Sequence, residues 1–375
     1  MTARRVTIVY GRVGGGHLSV ARALQAALLE AAPDGALAVD LADVYGAYAR
    51  PPVSWFPAGY ADVVRNHPRF WSLFFAVTQR SGVRVGGDAV LRPFLAPGFD
   101  RMLREHAPRV VVSVLPAING LLADAVRRAR LPPPTVVVTD FCTLHRSWRG
   151  RGVGRYLVPT DCARLDLVRY GEAPRAIDVT GLPVRPAFVD PPARTAARTW
   201  LAERCGLDPR RFTVVVMVGA EGSPAALDTV RALAQLDVDA QVVVACGHDA
   251  RLRARVAALR RRVELRALGF VTEAAHLMRA ADVLVSKAGA VSLAEAFCCQ
   301  ATVVVADVLP GQETGNLNYL LAHDAVAFAG GPQPTAALVA SLARSPARRA
   351  ELAARGARLA RPGAAACIAR ELLAD

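Results

Sequence analysis

Two kinds of segment alternate along this chain. One kind is short, apolar and rich in β-branched residues: VTIVY at 6–10, ALAVD at 36–40, RVVVSVLP at 109–116, TVVVTD at 135–140, RYLVP at 155–159 and AIDVTG at 176–181. The other is longer, alanine-rich and helical in spacing, as in SVARALQAALLEAA behind the first glycine turn. Nearly continuous apolar strands separated by helices predict a parallel sheet covered on both faces. The rhythm restarts after DPPARTAAR at 190–198, where FTVVVMVG (212–219), AQVVVACG (240–247), ADVLVS (281–286) and ATVVVAD (301–307) predict a second sheet. Each of these four ends in Gly, Ser or Asp, as expected where strand carboxyl ends face a ligand crevice. The expected fold class is α/β, with two Rossmann-like, doubly wound domains facing a cleft. The expected boundaries are residues 1–189, a linker at 190–197, residues 198–344, and C-terminal helices from 345 to 375 packing back on the first domain.

Residues 45–99 break the pattern. They hold 11 of the chain's 23 aromatics, including Trp55, Phe56, Tyr60, Phe70, Trp71, Phe74 and Phe75, with six arginines against two aspartates. This segment is either a helical insertion covering a sheet edge or a surface that dips into a bilayer, aromatics at headgroup level and arginines on anionic lipid.

Composition narrows the function classes. With 53% apolar and 21% charged residues over 375 positions, disorder is excluded and two cored domains are expected. The apolar runs fall well short of the roughly 18 residues a spanning helix needs. Arg4 and Arg5 run directly into a strand, so no secretory leader is expected. Seven cysteines without C-x-x-C or metal spacing predict reduced thiols in a cytosolic protein. The net charge of +14 attracts anions, and it comes from arginine; Lys287 is the single lysine. No nucleic-acid-binding motif accompanies the charge, so nucleic acid is not an expected partner.

The chemistry concentrates where strands turn into helices. GRVGGGHLSVARAL at 11–24 places Gly14, Gly15, Gly16 and His17 at such a junction. Free N–H groups and the helix dipole make it an anion site. The spacing is an imperfect dinucleotide fingerprint, because Ser19 stands where glycine or alanine is needed, although Asp40 could serve as its ribose-binding acid. His17 is left unexplained by that reading. At a helix N-terminus the dipole disfavours imidazolium, so the ring stays neutral and can take a proton from a hydroxyl, or it is a structural, hydrogen-bonded histidine. The second half repeats the logic in VGAEGSPAAL (218–227), CGHD (246–249), SKAGAVSLAEAF (286–297) and LPGQETGNLNYL (309–320).

GGGH (14–17), TDFCTLHRSW (139–148), GLPVRPAF (181–188), GFVTEAAHLMRAADVLVSKAG (269–289), AEA (294–296) and GQETGN (311–316) follow one another in this order. The series resembles the monogalactosyldiacylglycerol synthases and the related processive diacylglycerol glycosyltransferases, from the first strand to about Tyr319. More distantly, GGGH and GAVSLAEA resemble the N-acetylglucosaminyltransferase that completes lipid II. All have the GT-B architecture. The sequence departs from the family pattern at Ala220 and at Ala290-Val291, where smaller or glycine-richer turns are usual.

The resemblance implies inverting transfer of a hexose from a UDP-sugar to a lipid acceptor, diacylglycerol foremost, without a catalytic metal. Carried over position by position, His17 is the base candidate, with Asp140 as the runner-up base, the carboxylate that orients a histidine, or a turn-capping aspartate. Glu295 and Glu313 face the donor's ribose and sugar hydroxyls, with Ser292 on the side of Glu295, and Gln312 and Asn316 line the sugar. Lys287, Ala288, Gly289 and the turn of Gly219, Glu221 and Gly222 face the diphosphate, with Gly15, Gly16, Gly247, Phe270, Val271 and Gly311 completing the donor set. Trp55, Phe56, Phe70, Trp71, His145 and Trp148 form the acceptor and membrane set. The expected location is the cytoplasm, peripheral on the inner face of the cell membrane and held to anionic lipid. Three alternatives stand beside this: a GT-B enzyme with a polyprenyl-linked or small-molecule acceptor, a UDP-sugar epimerase or hydrolase, and a nicotinamide-dependent oxidoreductase.

Overall fold

A computed structural model describes residues 4–32, 35–79, 81–219 and 225–374. The chain divides into two compact units. Unit 1 comprises residues 1–186, 310–315 and 361–375, and unit 2 comprises 187–309 and 316–360.

Unit 1 is built on six parallel strands: β1 (Arg4–Tyr10), β2 (Leu37–Asp43), β3 (Val110–Ser113), β4 (Thr135–Val137), β5 (Arg155–Val158) and β6 (Ile177–Val179). Their spatial order is β2-β1-β3-β4-β5-β6, so the winding reverses between β1 and β3. The central strands are apolar on both faces because helices cover both; Val6, Ile8, Val112, Val136 and Val158 are fully buried. Helix α1 (Gly16–Ala31) buries Val20, Leu24 and Leu28 at helical spacing. Arg4 donates to the carbonyl of Leu373, on the C-terminal helix Ala364–Ala374, 2.8 Å away.

The aromatic segment is helical. A π-helical turn (Val44–Tyr48) and a short 3-10 turn (Val53–Trp55) lead into α2 (Phe56–Asn66), α3 (Pro68–Thr78) and α4 (Ser81–His106). Prolines near the starts of α2 and α3 fit first-turn positions that need no N–H donor. Tyr45, Tyr48, Leu95, Phe99 and Met102 pack with Val9 and Ala42 in one core. The aromatics from Trp55 through α3 mostly do not join it: Trp55 is 66% exposed, Phe70 60% and Phe74 44%. No helix among the described residues is long and apolar enough to cross a membrane.

Unit 2 repeats the plan with β7 (Phe212–Met217), β8 (Ala240–Ala245), β9 (Glu264–Leu268), β10 (Val283–Lys287), β11 (Val303–Asp307) and β12 (Ala327–Phe328), ordered β12-β11-β10-β7-β8-β9. Here the winding reverses between β7 and β10. β9 and β12 are the two strands that the apolar pattern does not predict. Both lie at sheet edges, where β9 alternates charged and apolar residues and β12 is two residues long. A helix (Arg194–Cys205) starts inside the polar stretch expected to be a linker, and Ala197 and Leu201 anchor it. The C-terminal helices divide between units: Pro346–Leu359 belongs to unit 2, and Ala364–Ala374 to unit 1.

The expectation of seven reduced cysteines is corrected. Cys142 and Cys162 form a disulfide, and Cys205, Cys246, Cys298, Cys299 and Cys367 are free thiols. The pair is 20 residues apart and unpatterned in sequence; the fold brings their Cα atoms to 5.3 Å.

Candidate functional site

Unit 1 contains a cavity of about 700 Å³. Its floor is set by the first strand-to-helix junction. Gly14 takes a left-handed conformation (φ 70°), Gly15 caps α1, and His17 is the second residue of the helix. The His17 ring lines the cavity, and its Nδ1 lies 2.7 Å from the carbonyl oxygen of Val114. A carbonyl only accepts, so Nδ1 carries the proton and Nε2 keeps its lone pair. Burial lowers the His17 pKa to about 4, outweighing the opposing effect of the Val114 hydrogen bond. The ring is therefore neutral across the physiological range.

The loop after β4 forms the opposite wall. Trp148 is 1% exposed; its indole N–H donates to Asp140 Oδ2 at 3.0 Å, and its ring centroid lies 6.3 Å from that of His17. The same loop grips α3. His145 Nε2 lies 3.3 Å from the Phe75 carbonyl, so Nε2 donates and Nδ1 accepts from the Ser147 N–H at 3.2 Å. Burial lowers the His145 pKa as well. Gln79 donates to the Leu144 carbonyl and accepts from Arg146 N. Asp166 accepts from Leu144 N, and the disulfide ties the loop to the helix Asp161–Arg169. His145 is thus a clip that fastens the aromatic helix to the cavity wall.

Eight aromatic rings besides His17 and His145 line the space: Tyr45, Trp55, Phe56, Tyr60, Trp71, Phe74, Phe75 and Trp148. The remaining wall comes from the far end of the sequence. Residues 310–315 cluster with unit 1. Gly311 packs against the Phe75 ring, and Gly315 lies so close to Thr143 that any Cβ would collide with its side chain. Gln312 consequently lines the cavity, where its Oε1 accepts from the Tyr60 hydroxyl at 3.3 Å.

Of the acceptor candidates, Trp55, Phe56, Trp71, His145 and Trp148 are brought together around His17, Asp140 and Gln312. Phe70 is not among the lining residues and points its exposed ring elsewhere on α3. Asp40 does not stand at the end of β2, where a ribose-binding acid belongs; it is the fourth residue of the strand, facing His106 Nδ1 at 3.5 Å. Sequence reading missed Tyr45, Thr78 and Asn119 as lining residues, since none stands in a motif, and it passed over Ser147 inside TDFCTLHRSW. Their signal is spatial only.

Unit 2 gathers its own set around the reversal of its winding. Gly219 follows β7 in a left-handed conformation (φ 81°), and a Cβ there would stand 3.2 Å from Lys287 Cε. A side chain at 219 would thus be strained by the backbone and would press on the lysine. Lys287 ends β10 at a shift in its register with β11, then Gly289 caps the helix Ala290–Cys298. Glu295 in that helix is 5% exposed, Ser292 is half-buried, and Ala288 is fully buried. Asn316 is buried and donates to the Ala288 carbonyl at 3.3 Å. Gly247 is left-handed (φ 60°), and the His248 and Phe270 rings stack at 4.4 Å, with Val271 next in the chain. His248 was not foreseen as part of this set. Glu313, 4% exposed, belongs to unit 1 beside Gln312. Glu221 and Gly222 lie outside the described residues.

Comparison with known proteins identifies the family and the fold. Residues 17–184 match the family model of monogalactosyldiacylglycerol (MGDG) synthase, and residues 213–316 match the glycosyltransferase family 28 C-terminal domain. A probable monogalactosyldiacylglycerol synthase of Glycine max is 28% identical over 98% of this chain and 71% of its own length. A probable monogalactosyldiacylglycerol synthase 2 of Oryza sativa subsp. japonica is 30% identical over 90% of this chain and 73% of its own. In fold, MurG of Acinetobacter baumannii aligns over 100% of both chains with a TM-score of 0.63 at 15% identity. Two Rossmann-like units of GT-B type and relatives of one name along most of the sequence lead to one assignment: the chain belongs to the monogalactosyldiacylglycerol synthase family.

Proposed function

We infer that this protein is a UDP-sugar-dependent hexosyltransferase that glycosylates diacylglycerol, with inversion at the anomeric carbon. The observation that carries the reading is a neutral imidazole, its Nε2 lone pair available, in a cavity walled by aromatic rings. Such a cavity suits the acyl-bearing end of a lipid alcohol, which has little polar surface. Nε2 takes the proton of the acceptor hydroxyl as its oxygen bonds to the anomeric carbon. The bond from that carbon to the diphosphate breaks on the opposite face, and UDP departs with the electron pair. Asp140, held by the Trp148 indole, lines the same cavity and is the second candidate for a proton-handling or orienting role there.

The donor reading rests on unit 2. Lys287, the left-handed Gly219 and the helix start at Ala290 offer positive charge and backbone N–H groups suited to a diphosphate. On this reading the leaving group needs no divalent cation, and transfer proceeds undiminished in excess EDTA. Activity abolished by EDTA and restored by magnesium or manganese would overturn that element.

The exposed Trp55, Phe70, Leu73 and Phe74 support peripheral docking on a bilayer, with arginines of the same segment on anionic headgroups. The acceptor is then met in its own membrane. The deciding experiment incubates the protein with diacylglycerol vesicles and a panel of UDP-sugars and identifies the lipid product by mass spectrometry. A hexosyl-diacylglycerol is expected. Donor consumed by hydrolysis or epimerisation, with no glycolipid formed, refutes the reading.

A further inference from the structure

We propose that the aliphatic end of the unit 1 cavity holds one acyl chain of the acceptor, and that Gly87 sets the length of chain it takes; this rests on the transferase reading above. The lining changes character along the cavity. α2 and α3 contribute aromatic rings, whereas α4 and the turn after β3 contribute Leu91, Leu95, Leu115 and Ile118. These four pack in the core that also holds Val9 and Tyr45. Of the polar side chains in this stretch, Asn119 donates to the Trp148 carbonyl at 2.9 Å, Arg149 pairs with Glu172 at 2.6 Å, and Asp88 abuts Gly120. A hydrocarbon chain needs no polar partner there, and each methylene it buries strengthens binding by about fourfold.

Gly87, Leu91 and Leu95 lie four residues apart on one face of α4 and span about 12 Å of helix. Leu95 is 1% exposed, whereas Val90, which lines the cavity three residues from Gly87, is 67% exposed. The stripe therefore runs from the core outward. Glycine inside a helix is unfavourable relative to alanine, so it serves backbone freedom or a close approach where it is kept for structure. Neither applies at Gly87. Its backbone is not left-handed. A Cβ at Gly98 in the same helix would collide with the Tyr48 carbonyl, but one at Gly87 would meet nothing within 4 Å among the described residues, its own helix backbone and chain neighbours aside. What the missing side chain leaves open is the outer end of the stripe, and a larger residue there shortens the room for a chain.

The test compares the unchanged protein with Gly87→Ala and Gly87→Leu on dioctanoyl-, didecanoyl-, dilauroyl- and dipalmitoylglycerol at equal mole fraction in mixed micelles. A saturating mixture of UDP-galactose and UDP-glucose serves as donor. The ratio of variant to unchanged kcat/KM, taken at each chain length, cancels differences in micelle partitioning. The loss is expected to be smallest with dioctanoylglycerol and to grow with chain length, reaching about tenfold or more for Gly87→Leu on dipalmitoylglycerol, at roughly fourfold per displaced methylene. Gly87→Ala should lose less. Both residues are better helix formers than glycine, so the melting temperature should not fall. The same lipids titrated without donor, read by the fluorescence of Trp55, Trp71 and Trp148 in the cavity wall, should give the same ordering of affinities. A loss that is equal at every chain length, equal losses in Gly87→Ala and Gly87→Leu, or no loss in Gly87→Leu overturns the proposal. Absence of transfer by the unchanged protein removes the transferase reading instead, and the fluorescence titration then decides the chain site by the same criteria.

Discussion

The His17 ring makes a quantitative demand on pH. In the folded chain it titrates near pH 4, because burial opposes the charged form; in the unfolded chain it returns to 6.5. Between these values the unfolded chain binds a proton that the folded one does not, so acid favours unfolding. The full stability is present above pH 6.5 and falls by up to about 3 kcal/mol as pH drops to 4. Activity follows the folded value alone. At about pH 5.5 an ordinary imidazole would be roughly nine-tenths protonated and transfer about tenfold slower, whereas this ring is almost wholly neutral. The assay is kcat/KM for diacylglycerol at saturating donor, from pH 4 to 8, with thermal melting over the same range. The expected acid limb has its midpoint near pH 4. In His17→Gln, turnover should fall roughly 10²- to 10⁴-fold with donor KM unchanged, and the pH dependence of melting between 4 and 6.5 should shrink. A midpoint at 6.5, or a melting curve that His17→Gln leaves unaltered, would refute the argument.

Three further outcomes are expected. Gly219→Ala should weaken UDP binding by roughly 1–2 kcal/mol, from backbone strain in a left-handed position and pressure on Lys287; calorimetric titration with UDP measures it. If the proposed bilayer docking holds, replacing Leu73 and Phe70 by serine lowers partitioning onto anionic vesicles by about tenfold or more, with little change in melting temperature, because both side chains are exposed and lie outside the core. Thiol titration of the denatured, unreduced protein should count five thiols, and seven after reduction; seven at the outset would remove the Cys142–Cys162 bond.

The fold was largely legible because its interior strands are apolar on both faces, which leaves an unbroken signal such as VVVS in β3 or TVVVM in β7. The signal fails at the edges. β9 carries Glu264 and Arg266 on a half-covered border, and β12 is too short for any period to register. In the site, local turn chemistry pointed to His17 and Lys287, since each stands at a strand-to-helix junction, and the family resemblance pointed to Asp140. Contacts made by folding were not legible. Nothing near His145 in sequence announces that it holds the backbone of Phe75, and nothing links Cys142 with Cys162. The aromatic segment admitted two readings; its helices cover a sheet edge with Tyr45 and Phe99 in a core, while Trp55 and Phe70 are exposed.

The seating of residues 310–315 in unit 1 has a bearing on recombination. Two related enzymes crossed over once near residue 187 would pair the front half of one parent with the Gln312 of the other, and each offspring would inherit a mismatched hexapeptide in its aromatic-walled cavity. Viable hybrids therefore need the front half, the short loop and the C-terminal helix Ala364–Ala374 to come from one parent.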